Sequence, residues 1–193
     1  MVDPTAPGGR SMRERMLAGD LYIADDPEIE AAARRAHLLM DAFNATRADE
    51  PSRRRELLND LLGALGDDTV IRPPLYIDYG SNLSIGHRCF ANYGLVALDV
   101  APIVIGDDVQ IATNVQLLTP THPLDAAQRR GKWEAAQPIT IGDNVWLGGG
   151  AIVCPGVSIG ADTVVGAGSV VVNDLPPGAL AVGNPARVIR RLT

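Results

Sequence analysis

The chain has 193 residues, a formal charge of −6, and 46% hydrophobic but only 4% aromatic residues. That length admits one sizeable domain with at most a small appendage, and scarce rings mean a core filled by small and β-branched aliphatics. The acidic balance disfavours a nucleic-acid partner, and the isolated Cys89 and Cys154 read as reduced buried thiols rather than a disulfide framework. No apolar run is long enough for a membrane span and the N-terminus shows no signal-like apolar stretch, so a cytoplasmic location with no membrane partner is expected.

Residues 1–10, with Pro4, Pro7, Gly8 and Gly9, are expected to form a disordered tail. Residues 11–69 read as helical. Ile29, Ala32, Ala33, Ala36, Leu39, Met40 and Phe43 recur at three- and four-residue spacing after Pro27. After Pro51, Leu57, Leu58, Leu61, Leu62 and Leu65 share one helical face, with Gly66 as the stop.

From residue 70 onward the periodicity changes. Positions 141, 147, 153, 159, 165 and 171 read Ile, Leu, Val, Ile, Val, Val, and glycine follows at 142, 148, 160 and 166. Four positions after each aliphatic comes another small or apolar residue: Val145, Ala151, Val157, Thr163, Ser169 and Leu175. Ile105 and Ile111 keep the register upstream, whereas Ile85 lies 20 before Ile105 and slips it. A repeat of six means short strands stacked into a solenoid, with glycine expected at the corners for its backbone freedom. Residues 70–193 are therefore predicted as a parallel β-helix of roughly five coils, about 18 residues each and on the order of 25 Å tall.

The repeats break over residues 119–138, and such an excursion from a tight coil points to function. His122 stands at its root and suits proton removal near neutral pH. His37, on a helix, and His87, after a corner, read as structural or exposed residues. A metal-dependent solenoid enzyme with three histidine ligands fails the count, because the solenoid holds only His87 and His122.

Five segments, YIDYGSNLSIG at 76–86, FANYGLVALDV at 90–100, TPTHPLD at 119–125, ITIGDNVWLGGGAIVCPGVSIG at 139–160 and GNPARVIRRL at 183–192, closely resemble the galactoside and maltose O-acetyltransferases. The resemblance runs from Ser11 to the C-terminus and includes the helical appendage, which opens RERMLAGDLY. It implies a left-handed winding, against the usual right-handed crossover preference. It also implies acetyl transfer from acetyl-CoA to a sugar hydroxyl, the 6-hydroxyl of maltose, glucose or a galactoside, without a metal. The expected assembly is a homotrimer with active sites between subunits.

By the same resemblance His122 is the general base, and Asn92 binds the acceptor and stabilises the transition state. The Gly149 amide of the Gly148-Gly149-Gly150 corner supports the oxyanion. Asp78, which matches the maltose-type pattern, and Asp99 lie on the acceptor side. Val100 replaces an acidic residue of galactoside-type enzymes, and either Asp25 or Asp26 completes the acceptor pocket. Trp146, Gly149, Ala167, Val172, Asn173, Arg187 and Arg190 are cofactor-side positions, with Asn173 standing where a lysine is common. Read without the resemblance, Asn92 is a corner residue, the glycines form a turn, Trp146 packs in the core, and Arg187, Arg190 and Arg191 form a solvated tail. The alternatives in function are transfer to another small acceptor, such as serine, an amino sugar or a xenobiotic alcohol, and a non-catalytic solenoid.

Overall fold

The computed structural model describes residues 9–192, so the tail expected over residues 1–10 lies almost wholly outside the described residues. Helix α1 (Met12–Leu17) starts at a reciprocal cap. The Ser11 hydroxyl accepts from the Glu14 N–H at 3.1 Å, and the Glu14 carboxylate accepts from the Ser11 N–H at 2.7 Å. Helix α2 (Pro27–Asn44) is capped by Asp26 and buries Ile29, Ala36 and Phe43, and α3 (Pro51–Leu61) buries Leu57, Leu58 and Leu61. The helical region ends earlier than its leucine spacing predicts. Leu62 is already extended, Leu65 lies in the strand Ala64–Leu65, and that strand pairs with Leu83–Ile85 as the first turn of the solenoid.

Each coil then crosses three flat faces. The first face stacks Ala64–Leu65, Leu83–Ile85, Ile103–Ile105, Ile139–Ile141 and Ser158–Ile159. The second stacks Val70–Ile71, Phe90–Ala91, Gln110–Ile111, Trp146–Leu147, Val164–Val165 and Ala179–Val182. The third stacks Leu75–Ile77, Leu95–Leu98, Gln116–Leu118, Ile152–Val153 and Val170–Val171. Within the stacks all neighbours run parallel, and both six-residue series read from the sequence lie buried inside. Five coils close, and a sixth is begun by Leu175, which bridges Ile159, and by Ala179–Val182. The chain then reverses. Arg187–Arg191 pairs antiparallel with Ala179–Val182, so the basic cluster is a strand rather than a loose tail.

The slipped register has a local cause. Ala64 pairs with Ser84, a step of 20, whereas Thr140 pairs with Ser158, a step of 18. Matched positions on successive faces are six apart at two of the three corners, and only the edge between third and first faces varies. There Val96 to Val104 spans 104 minus 96, or eight, against 158 minus 152, or six, from Ile152 to Ser158. The excursion leaves from this same edge. Each long corner is closed by a buried side chain of the coil that follows. The Asp99 carboxylate accepts from the N–H groups of Asp78 (3.1 Å), Tyr79 (2.8 Å) and Asn82 (3.1 Å). Thr119 Oγ1 donates to the Leu98 carbonyl at 2.6 Å and accepts from the Ala101 N–H at 3.0 Å. Buried backbone donors left open by a loose corner thus find partners.

The repeat glycines serve a purpose different from the expected one. At the corner between first and second faces the left-handed residues are Asp68, Arg88, Asp108, Asn144 and Asp162, two positions after the glycine. What glycine supplies is room. A Cβ on Gly142 would lie 2.6 Å from the Ala161 nitrogen of the next coil, and one on Gly86 would lie 2.6 Å from the Gly106 oxygen. The stacking distance itself excludes a side chain there.

The helices close the lower end of the prism. Leu57, Leu58, Leu61 and Phe43 join the same apolar cluster as the coil interior. The Asn44 carboxamide covers the exposed edge by donating to the Leu75 carbonyl and accepting from its N–H, both at 2.8 Å. A second cluster, including Met16, Tyr22, Ile29, Tyr79, Val100 and Ala136, seats the N-terminal segment against the long-corner edge. Among the described residues no helix is long and apolar enough to cross a membrane.

Candidate active site

The long-corner edge carries one group of predicted site residues. The excursion is an ordered arm rather than a loop. Pro120–Thr121 pairs antiparallel with Ala135–Ala136, and the arm holds helix α4 (Ala126–Arg130), whose N-cap Asp125 accepts from the Gln128 N–H at 2.8 Å. His122 follows the outgoing strand and is exposed, with its ring clear of the aliphatic interior. The returning strand is pinned to the N-terminal segment. Tyr22 and Glu134 exchange backbone hydrogen bonds (3.0 and 2.9 Å), and the Tyr22 hydroxyl donates to the Glu134 carboxylate at 3.1 Å. The Arg15 guanidinium also stands over the Trp133 ring at 5.7 Å.

Asp78 lies in the lowest long corner. Burial, reinforced by Asp99 and Glu134, raises its carboxyl to about 6, while His37 on α2 favours the charged form. Burial also pushes the neighbouring Tyr79 phenol up to about 12. Asp99 is placed differently from its prediction as an acceptor contact. It is fully buried with both carboxylate oxygens taken by backbone donors, so it shapes the corner that presents Asp78. Burial raises its carboxyl as well. Of the two open candidates, Asp26 is occupied as the α2 cap, accepting from the Glu28 N–H at 2.8 Å, whereas Asp25 is exposed. Val172 and Asn173 sit on this same edge, higher up, and are exposed.

A second group lines the edge between second and third faces. The pairings Ile71 with Ala91, Ala91 with Ile111, Ile111 with Leu147 and Leu147 with Val165 stack the next residues as a column: Arg72, Asn92, Ala112, Gly148, Gly166. Beside it runs Tyr93, Thr113, Gly149 and Ala167. Asn92 Oδ1 accepts from the Tyr93 N–H at 2.9 Å, which turns the Nδ2 donors outward. Among the described residues the Gly149 N–H has no partner within the chain, and the space around Gly150 is open. Trp146 points out of the second face at 54% exposure, which excludes the core-packing alternative. Arg187 pairs with Val182, at the top of the column, and Arg190 with Leu180, which stacks over Val164 and Trp146 on the adjoining second face. The column's small upper side chains, with the open Gly149 amide beside them, form a straight track for an elongated ligand with an anionic end. Asn92 and Val182 are four strands apart, about 19 Å.

These groups lie on different edges of the triangular prism. One chain does not bring His122 and Asp78 to Asn92 and Gly149; the aliphatic interior separates them.

The repeats at residues 138–173 match the bacterial transferase hexapeptide model (six repeats), and residues 15–66 match the maltose acetyltransferase hexapeptide capping motif. Fold and site therefore define a hexapeptide-repeat acyltransferase. The chain is 39% identical to the galactoside O-acetyltransferase of Escherichia coli K12 over 94% of its own length and 89% of that protein's. It matches the crystal structure of a maltose O-acetyltransferase from Clostridium difficile 630 with a TM-score of 0.94 and 43% identity, covering 95% of this chain and 98% of that one. It also matches a galactoside acetyltransferase in complex with coenzyme A with a TM-score of 0.92 and 38% identity, covering 95% and 92%. The chain belongs to the galactoside and maltose O-acetyltransferase family: it is an acetyl-CoA-dependent acetyltransferase on a left-handed β-helix.

Sequence reasoning left Glu134 and the Arg15–Trp133 contact unnamed. The one signal was Trp133, a large ring in a polar segment with no aliphatic register. Nothing in the spacing paired it with a residue more than a hundred positions earlier.

Proposed function

We propose that this enzyme transfers the acetyl group directly to a hydroxyl, the 6-hydroxyl, of a sugar such as maltose, glucose or a galactoside, in sites formed between the subunits of a homotrimer. The observation that carries the reading is the division of the candidate residues between two edges of one prism. Packing three copies about a threefold axis sets the long-corner edge of one against the Asn92–Gly149 edge of the next, completing the site.

In that site His122 accepts the proton of the acceptor hydroxyl as its oxygen forms a bond to the acetyl carbonyl carbon. The Gly149 N–H and Asn92 Nδ2 donate to the oxyanion that develops. The carbon–sulfur bond then breaks, and the imidazolium returns its proton to the thiolate. Asp78 and Asp25 accept hydrogen bonds from sugar hydroxyls, with Asp99 holding the Asp78 corner. Trp146 and Ala167 flank the pantetheine arm. Arg187 and Arg190 face the nucleotide, and Val172 and Asn173 come from the adjacent subunit.

An acceptor panel assayed for release of free CoA thiol tests the reading. Maltose, glucose and galactosides should be turned over and their 6-deoxy analogues should not. Turnover of serine or an amino sugar's nitrogen with no sugar turnover would replace it with the alternative acceptor class.

A further inference from the structure

Arg72 sits where nothing in the reaction requires a cation. Ile71 pairs with Ala91, so Arg72 stacks directly beneath Asn92, one coil lower, and its N–H donates to the Ala91 carbonyl at 2.9 Å. Its guanidinium lies over two rings at once, Phe90 and Tyr93, each 5.1 Å from the ring centroid. Those rings bracket Asn92 in sequence. Phe90 is the second-face residue leading into the corner, and Tyr93 supplies the N–H that Asn92 Oδ1 accepts at 2.9 Å. Tyr93 is half exposed, so no protein interior holds its ring, and the corner it belongs to ends in Gly94 with a left-handed backbone. The backbone of the corner is held by the ladder, with the Asn114 N–H donating to the Tyr93 carbonyl at 2.9 Å and the Gly94 N–H to the Pro74 carbonyl at 3.0 Å. What Arg72 can fix is therefore the two rings, and Phe90 lines the same hollow as the Asn92 carboxamide.

We propose that Arg72 is a positioning residue for Asn92: by clamping Phe90 and Tyr93 it fixes the two rings that flank the carboxamide, so that Nδ2 points at the reacting carbonyl. The inference rests on the role given to Asn92 above. A planar guanidinium suits the task because it contacts two ring faces together, which a compact ammonium does less well. Arg72 itself stays below the track: the hollow above it is lined by Phe90, Asn92, Ala112 and Trp146 and not by Arg72.

The test measures kcat and both KM values for Arg72→Ala, Arg72→Lys, Asn92→Ala and the double variant. Arg72→Ala is expected to lower kcat about tenfold with KM for acetyl-CoA within about twofold, the loss of two cation–π contacts acting on a transition-state donor. Arg72→Lys should recover part of that loss, and Arg72→Ala should add nothing in the Asn92→Ala background. A raised acceptor KM at unchanged kcat would make Arg72 a direct acceptor contact and overturn the clamp, as would an additive loss in the double variant. If Asn92→Ala falls and Arg72→Ala does not, only the clamp fails. If Asn92→Ala keeps wild-type kcat, the reading of Asn92 fails and the clamp with it.

Discussion

The interior of the prism and its long-corner edge are built on opposite principles. Inside, one side-chain class repeats every six residues and each coil repeats the last, so the packing is additive and the chemistry inert. Along the edge no two corners are alike: Asp99 closes one, Thr119 another, and the third opens into an arm pinned by Tyr22 and Glu134. A solenoid can carry a site only where its repeat is allowed to fail, and here the failures are confined to one edge while the other two corners keep their length.

That contrast can be broken from either side. Leu147→Ala opens a hole in the buried aliphatic interior and is expected to cost about 2–5 kcal/mol in a denaturant titration. Asp99→Ala removes no apolar side chain yet strands three backbone donors, with an expected cost of about 2–4 kcal/mol. Stability within about 0.5 kcal/mol of wild type would show that the corner does not need its cap. His122→Ala should move in the other direction: the exposed ring leaves no cavity, so stability stays near wild type while kcat falls at least about 100-fold.

The smallest effect comes from Asp78. Its carboxyl is raised to about 6 from 3.8, so between those values the folded state holds a proton the unfolded chain has released, and ionisation above them costs stability. Asp78→Asn should therefore raise Tm by about 2–4 °C above pH 6, with the gain shrinking to nothing near pH 4. A difference in Tm that does not change with pH would contradict the assignment of that cost to Asp78.

The interior was legible because burial on a short period is a strong constraint: the series from Ile141 to Val171 names its own inward face. The slip at Ile85 was also visible, but not its cause, since a two-residue insertion in one corner looks the same as one in another until the strands pair. The glycines were found for the wrong reason. Their conformational freedom is general knowledge, whereas the approach of Ala161 to Gly142 exists only between coils. Asp99 was misplaced because a carboxylate that caps backbone and one that binds sugar are the same letter in sequence. His122, Asn92 and Gly149 came from motif resemblance, and their separation onto two edges required the fold.

The central claim is that the active site joins the long-corner edge of one subunit to the Asn92–Gly149 edge of another. Mixing inactive His122→Ala and Asn92→Ala chains by co-refolding tests it directly, because each carries the half that the other lacks. Random trimers from an equal mixture should contain intact sites at about one interface in four, restoring about a quarter of wild-type turnover. Activity no greater than the sum of the two variants would place both residues in a site within one chain and contradict the account.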